Sequence, residues 1–233
     1  MNKSSIIILH GWGLRGSKYQ ELSKLLENKG YKVYSPDLPG FGDEPLKSDK
    51  MNLSDYVLFL EDFIRKNKII SPIIIAHSFG GRVAIKYARN NKNLKQLILT
   101  GVPIIRNQSF LKKFEFLTAT YFGRLLNIFP ESTKNIIRKT FYFIIGEWDY
   151  YKSGKLKEVF KNIIGEDLVC YTKELIVPTV LIWGENDKIT PSSLVFKIKK
   201  INPNFQSIIV PEANHKLPYA NPTLFYNKFK SYI

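Results

Sequence analysis

Six short apolar runs recur along the chain, separated by stretches with helical periodicity. They are SIIILH (5–10), KVYSPD (32–37), PIIIAH (72–77), LKQLILTG (94–101), PTVLIWG (178–184) and QSIIVPE (206–212). Most are rich in isoleucine or valine and do not alternate apolar with polar. Such a run suits a strand covered on both faces, as in a parallel sheet. Between the runs, residues 17–29, 53–68, 79–90, 191–201 and 219–232 carry helical patterns. Strand and helix in alternation predict an α/β fold with a parallel sheet. The chain has 233 residues, 44% of them hydrophobic, which is enough for one domain with a sizeable core.

One stretch breaks the alternation. Residues 104–172 show no clear strand and many helical periods, and they fall between the fourth and fifth strands. A helical insertion at that point sits over the carboxyl ends of the strands, where open α/β sheets place their sites. Its aromatics, Phe114, Phe116, Tyr121, Phe122, Phe141 and Trp148 among them, are expected to pack on the sheet and to line a pocket. The predicted division is therefore a core of residues 1–103 and 173–233 with a helical lid over 104–172.

The formal net charge is +15. It is spread evenly: the insertion holds 11 basic and 7 acidic residues, the rest of the chain 24 and 13. No block of like charge occurs, so no nucleic-acid partner is expected. No run of about 18 apolar residues is present, so no membrane span is expected. The first apolar run stops at His10, too short for a signal-peptide core, and reads as a strand. The single Cys170 cannot pair within the chain, which agrees with a reducing compartment and a cytoplasmic protein. It reads as a small buried hydrophobe.

The third run ends in AHSFGG (76–81), with Ser78 between a buried strand and a helix. Ser78 could cap that helix. It could also be a nucleophile on a strained strand-to-helix turn, which needs small residues two places before and two after; Ala76 and Gly80 stand there. A nucleophilic serine needs a base, and there are three histidines. His77 neighbours Ser78 and should point away from it. His10 ends the first strand. His215 lies just past the last strand, on a loop facing the turn, and is the candidate base. An acid must fix its tautomer. Glu185 and Asp187 both follow the fifth strand, and Asp187, just before the next helix, is the better candidate. For the oxyanion, backbone amides are needed: Phe79 after the nucleophile, and Trp12 in the glycine-rich HGWG loop after the first strand.

With these residues in place the chain resembles the α/β-hydrolase superfamily. HGWGL (10–14), DLPGFG (37–42), AHSFGG, WGENDKITP (183–191) and ANHKLPYANP (213–222) match that family's blocks in order. The resemblance implies a Ser-His-Asp hydrolase with a lid domain. Its nucleophile, acid, base and oxyanion donors fall on Ser78, Asp187, His215, Phe79 and Trp12. HGWGL with DLPGFG is also similar to the biotin-pathway esterases that demethylate pimeloyl-carrier-protein methyl ester. The first strand here matches the family's third, which implies a reduced sheet of six parallel strands.

The reading that follows is a serine hydrolase acting on a carboxylic ester or thioester of a small or acyl-chain substrate, an acidic acyl carrier being one partner to consider. No cofactor or metal is expected, because no metal-ligand spacing is present. Carbon–carbon bond hydrolysis, lactone opening and amide cleavage use the same machinery and stay open. A non-catalytic binding protein of the same fold, and a lid that docks on membranes, are more distant readings.

Overall fold

A computed structural model describes residues 4–91, 93–105 and 156–233. Six parallel strands form one sheet in the order β2-β1-β3-β4-β5-β6. They are β1 (Ser5–Leu9), β2 (Lys32–Tyr34), β3 (Ile73–His77), β4 (Gln96–Thr100), β5 (Thr179–Gly184) and β6 (Gln206–Val210). Each of the six apolar runs supplies one strand, a residue or more shorter than the run itself. β3, β4 and β5 are buried along their whole length, whereas β2 and β6 at the two edges are partly exposed.

The helices are α1 (Gln20–Glu27), α2 (Leu53–Lys66), α3 (Phe79–Asn90), α4 (Lys157–Gly165), α5 (Val169–Glu174), α6 (Ser193–Ile201), α7 (Leu217–Ala220) and α8 (Pro222–Phe229). The two-residue period of the strands divides their side chains between two cores. Ile7, Leu9, Ile74, Leu97 and Leu181 face a core built by α2, α3, α4 and α6. Ile6, Ile8, Ile73, Ile98 and Val180 face a second core built by α1, α7 and α8. A layer of helices on each face thus covers a sheet with almost no polar side chain in its centre. The start of α2 is fixed by a capping box: Asn52 Oδ1 accepts from Ser54 N at 2.8 Å and Asp55 Oδ2 accepts from Asn52 N at 2.7 Å.

Most of the expected lid, residues 106–155, lies outside the described residues. Its returning end is helical and is tied to α3. Arg82 of α3, 3% exposed, donates to the carbonyls of Pro103, Ile163 (2.8 Å) and Glu166, so it joins the segment after β4 to the end of α4. Lys86, one turn further on, pairs with Glu166 at 2.6 Å. Burial lowers the Arg82 pKa to about 10, an effect opposed by nearby Glu166 and Asp167; the guanidinium stays charged at neutral pH. Cys170 corrects an expectation. It is exposed, because Val169–Glu174 turns Thr172 inward and the thiol outward. Among the described residues no helix is long and apolar enough to cross a membrane.

Candidate active site

Ser78 stands where β3 ends and α3 begins. Its backbone has φ 51° and ψ −113°, a conformation that costs a non-glycine residue on the order of 1–3 kcal/mol. The surroundings enforce it: Ser78 N donates to Thr100 O at 2.9 Å and Gly80 N to His10 O at 3.0 Å. Gly80 is required by this closeness, since a Cβ there would lie 2.5 Å from Leu9 O. Ser78 occupies the N-cap position of α3, yet its side chain makes no capping hydrogen bond. The helix-cap role is therefore not what the hydroxyl serves. The residue is partly exposed, at the carboxyl end of the central strand.

Asp187 and His215 meet at the same end of the sheet. Asp187 is 5% exposed. Its Oδ1 accepts from Ile189 N (2.9 Å) and Thr190 N (2.8 Å). Its Oδ2 accepts from Thr190 Oγ1 (2.8 Å) and His215 Nδ1 (2.7 Å). Four donors converge on one carboxylate and fix its position, and the last of them places the His215 proton on Nδ1. Nε2 then keeps a lone pair. Thr190 is itself fastened by Trp183 Nε1, which donates to its carbonyl at 2.7 Å. Glu185 lies outside this arrangement: it is exposed and accepts from Glu212 N at 3.1 Å. Gly101, φ 60°, follows β4 against the His215 ring; a Cβ there would fall 2.6 Å from Cε1. Ser78 Oγ makes no hydrogen bond to a described side chain.

The HGWG loop packs beside Ser78. A Cβ on Gly11 would lie 3.4 Å from the Ser78 Cβ. The Trp12 and Phe79 rings meet edge to face at 5.3 Å, so the side chains of the two residues expected to supply oxyanion donors are in contact. Phe79 is the first residue of α3, where amides lack an intrahelical acceptor and the helix end is positive. Phe41 and Phe160 each set a ring 4.9 Å from Trp12, and Tyr56 one at 4.9 Å from Phe79. Thr190, Phe41, Phe160 and Tyr19 were not singled out from sequence. Thr190 alone had a visible signal, as a hydroxyl three places after the candidate acid.

The other two histidines are buried and neutral. His10 Nδ1 donates to Gly11 O (2.9 Å) while Nε2 accepts from Leu38 N (2.9 Å). His77 Nε2 donates to His215 O (3.0 Å) and Nδ1 accepts from Tyr19 Oη (2.7 Å). Burial lowers the His10 pKa, and burial followed by the nearby His215 holds His77 well below the ordinary histidine value. Both groups gain a proton on unfolding, so the unfolded state binds more protons below about pH 6.5. Stability is therefore expected to be flat above that pH and to fall below it. The slope reaches about 1.4 kcal/mol per pH unit for each histidine until its depressed pKa is passed. Urea melts at stepped pH values check this; no slope below pH 6.5 would contradict the buried neutral state.

Among the described residues no group of three or more His, Cys, Asp or Glu is placed to hold a metal ion. The chain is similar to several known proteins. Over 98% of this chain and 93% of its own length, pimeloyl-[acyl-carrier protein] methyl ester esterase of Wigglesworthia glossinidia brevipalpis is 28% identical. Putative esterase/lipase 2 of Mycoplasma pneumoniae is 25% identical over 99% of this chain and 89% of its own. Among solved structures, an esterase from Exiguobacterium antarcticum superposes with a TM-score of 0.74 at 16% identity, covering 99% of this chain and 92% of that one. E-2-(acetamidomethylene)succinate hydrolase gives 0.75 at 15%, covering 98% and 91%. Residues 1–139 match the family model described as serine aminopeptidase, S33. With more than half its length in that match and a six-stranded parallel sheet of the same kind, the chain belongs to the serine aminopeptidase S33 family of the α/β-hydrolase superfamily.

Proposed function

We propose that this α/β-hydrolase cleaves carboxylic esters or thioesters of acyl chains through Ser78, His215 and Asp187. The observation that carries the reading is the Asp187 carboxylate, held by four donors and aligned on His215 Nδ1 at 2.7 Å. Ser78 Oγ attacks the acyl carbon and its proton passes to His215 Nε2. Asp187 stabilises the resulting imidazolium. The amides of Trp12 and Phe79 receive the oxyanion. His215 then protonates the departing alcohol or thiol, and the acyl-enzyme is hydrolysed by water that His215 activates.

Esters are favoured over amides because the curated relatives compared above are named esterases or esterase/lipases. An acyl chain on an acidic carrier suits both the carrier-protein esterase relatives and the +15 charge of this chain. Residues 104–172 would form the lid over the acyl group, with Phe160 on the lid side and Trp12 and Phe41 facing it from the core. Cys170, unpaired, fits a cytoplasmic protein. A series of p-nitrophenyl esters from acetyl to dodecanoyl, with an acyl-carrier methyl ester added, tests the substrate class. Phe160→Ala should change the ratio of kcat/KM for long and short esters by about tenfold, since an apolar mismatch is worth roughly 1–3 kcal/mol. Fluorophosphonate labelling of Ser78 should stay within about twofold. An equal loss for every ester would make Phe160 scaffolding.

A further inference from the structure

We infer that His77 and Tyr19 are positioning residues, a buried relay that holds the oxyanion loop and the base loop in one register. The inference rests on the triad reading above. Gly11 N donates to Tyr19 Oη (3.3 Å), Tyr19 Oη donates to His77 Nδ1 (2.7 Å), and His77 Nε2 donates to His215 O (3.0 Å). Three hydrogen bonds therefore run from the glycine before Trp12, through the residue before Ser78, to the backbone of the base. Each part is otherwise carried by a different loop, after β1, β3 and β6.

The relay has one consistent set of proton positions. The His215 carbonyl can only accept, so His77 carries its proton on Nε2. Nδ1 must then accept, so the tyrosine hydroxyl donates to it. That leaves the tyrosine oxygen to receive the Gly11 amide. Packing reinforces the bonds. The His77 and His215 rings lie 4.6 Å apart, and Tyr219 closes over both His77 (5.9 Å) and Tyr19 (5.7 Å). Tyr19 is 1% exposed and His77 2%, so water cannot replace either partner. A neutral His77 also matters for the chemistry. A cation there would oppose the imidazolium that His215 must become. Small displacements of catalytic groups are costly, on the order of a hundredfold for about 1 Å.

The tests separate the relay from the triad. In a long-range proton–nitrogen NMR correlation at neutral pH, the three histidines give three ring patterns. His10 and His215 should carry their proton on Nδ1, and His77 alone on Nε2; an Nδ1–H or doubly protonated His77 overturns the relay whatever the nucleophile is. Among variants, His77→Asn keeps an acceptor toward Tyr19 but loses the donor toward His215 O. It should lower kcat by about tenfold to a hundredfold with KM within about twofold. His77→Gln, whose amide nitrogen reaches the Nε2 position but which leaves Tyr19 without its acceptor, should recover part of the activity and fall between His77→Asn and wild type. Tyr19→Phe should lower kcat by about tenfold. Folded His77→Asn and Tyr19→Phe proteins with kcat within twofold of wild type overturn the positioning role. If Ser78→Ala stays active, the triad reading fails and the positioning role falls with it, while the NMR result still reports on the relay itself.

Discussion

Ser78→Ala is expected to remove ester hydrolysis, by on the order of 10⁶ in kcat, and to leave the fold intact. The size follows from a triad acting as a unit: without the nucleophile the base and acid have nothing to activate. The intact fold follows from the structure. Ser78 is partly exposed and its side chain neither caps α3 nor bonds to another described side chain, so stability should shift by no more than about 0.5 kcal/mol. The strained backbone stays strained, because alanine gains nothing at φ 51°. Activity within tenfold of wild type, in protein free of host esterase, would sink the assignment. His215→Ala should fall nearly as far.

Asp187→Asn is expected to cost about 10⁴ in kcat, with Glu185→Gln within about twofold of wild type. An asparagine oxygen can still accept from the Ile189 and Thr190 amides, which preserves the turn. Its NH₂ group would then face His215 Nδ1, a position now filled by a carboxylate oxygen at 2.7 Å. His215 would have to present a lone pair there and move its proton to Nε2, the atom that must receive the serine proton. The loss is thus one of tautomer rather than of packing. Glu185 is exposed and serves the Glu212 amide, so neutralising it removes one surface hydrogen bond. The reverse ranking of the two variants would show that the wrong carboxylate was chosen.

The sheet was legible in the sequence for a simple reason. Strands buried on both faces leave uninterrupted apolar runs, and all six runs became strands. Helix α3 spans the same residues, 79–90, as its helical pattern, which begins directly after Ser78 and the buried strand that ends at His77. Ser78, Asp187 and His215 could be proposed from sequence because each lies in the stretch that follows a strand, and parallel strands bring their carboxyl ends to one edge. What the sequence left ambiguous was the purpose of the serine, because a helix cap and a nucleophile occupy the same place. The backbone decides that the hydroxyl does not cap. The choice between Glu185 and Asp187 likewise turned on two residues of loop conformation. Cys170 was misjudged because a single position on a short helix carries no sign of which way it faces.

Long-range contacts were invisible from sequence altogether. Tyr19 and His77 are 58 residues apart, and His77 and His215 are 138 apart. Nothing local to any of them signals the others. Arg82 is buried with its terminal nitrogens Nη1 and Nη2 donating to carbonyls 21, 81 and 84 residues away, partners that nothing near it in the sequence signals. Local pattern determined which segments are strands, which loops gather at one edge, and which side chains could do chemistry there. Only the folded chain decided which of those side chains share protons, since hydrogen-bond partners are set by distances across the sheet that no spacing along the sequence encodes.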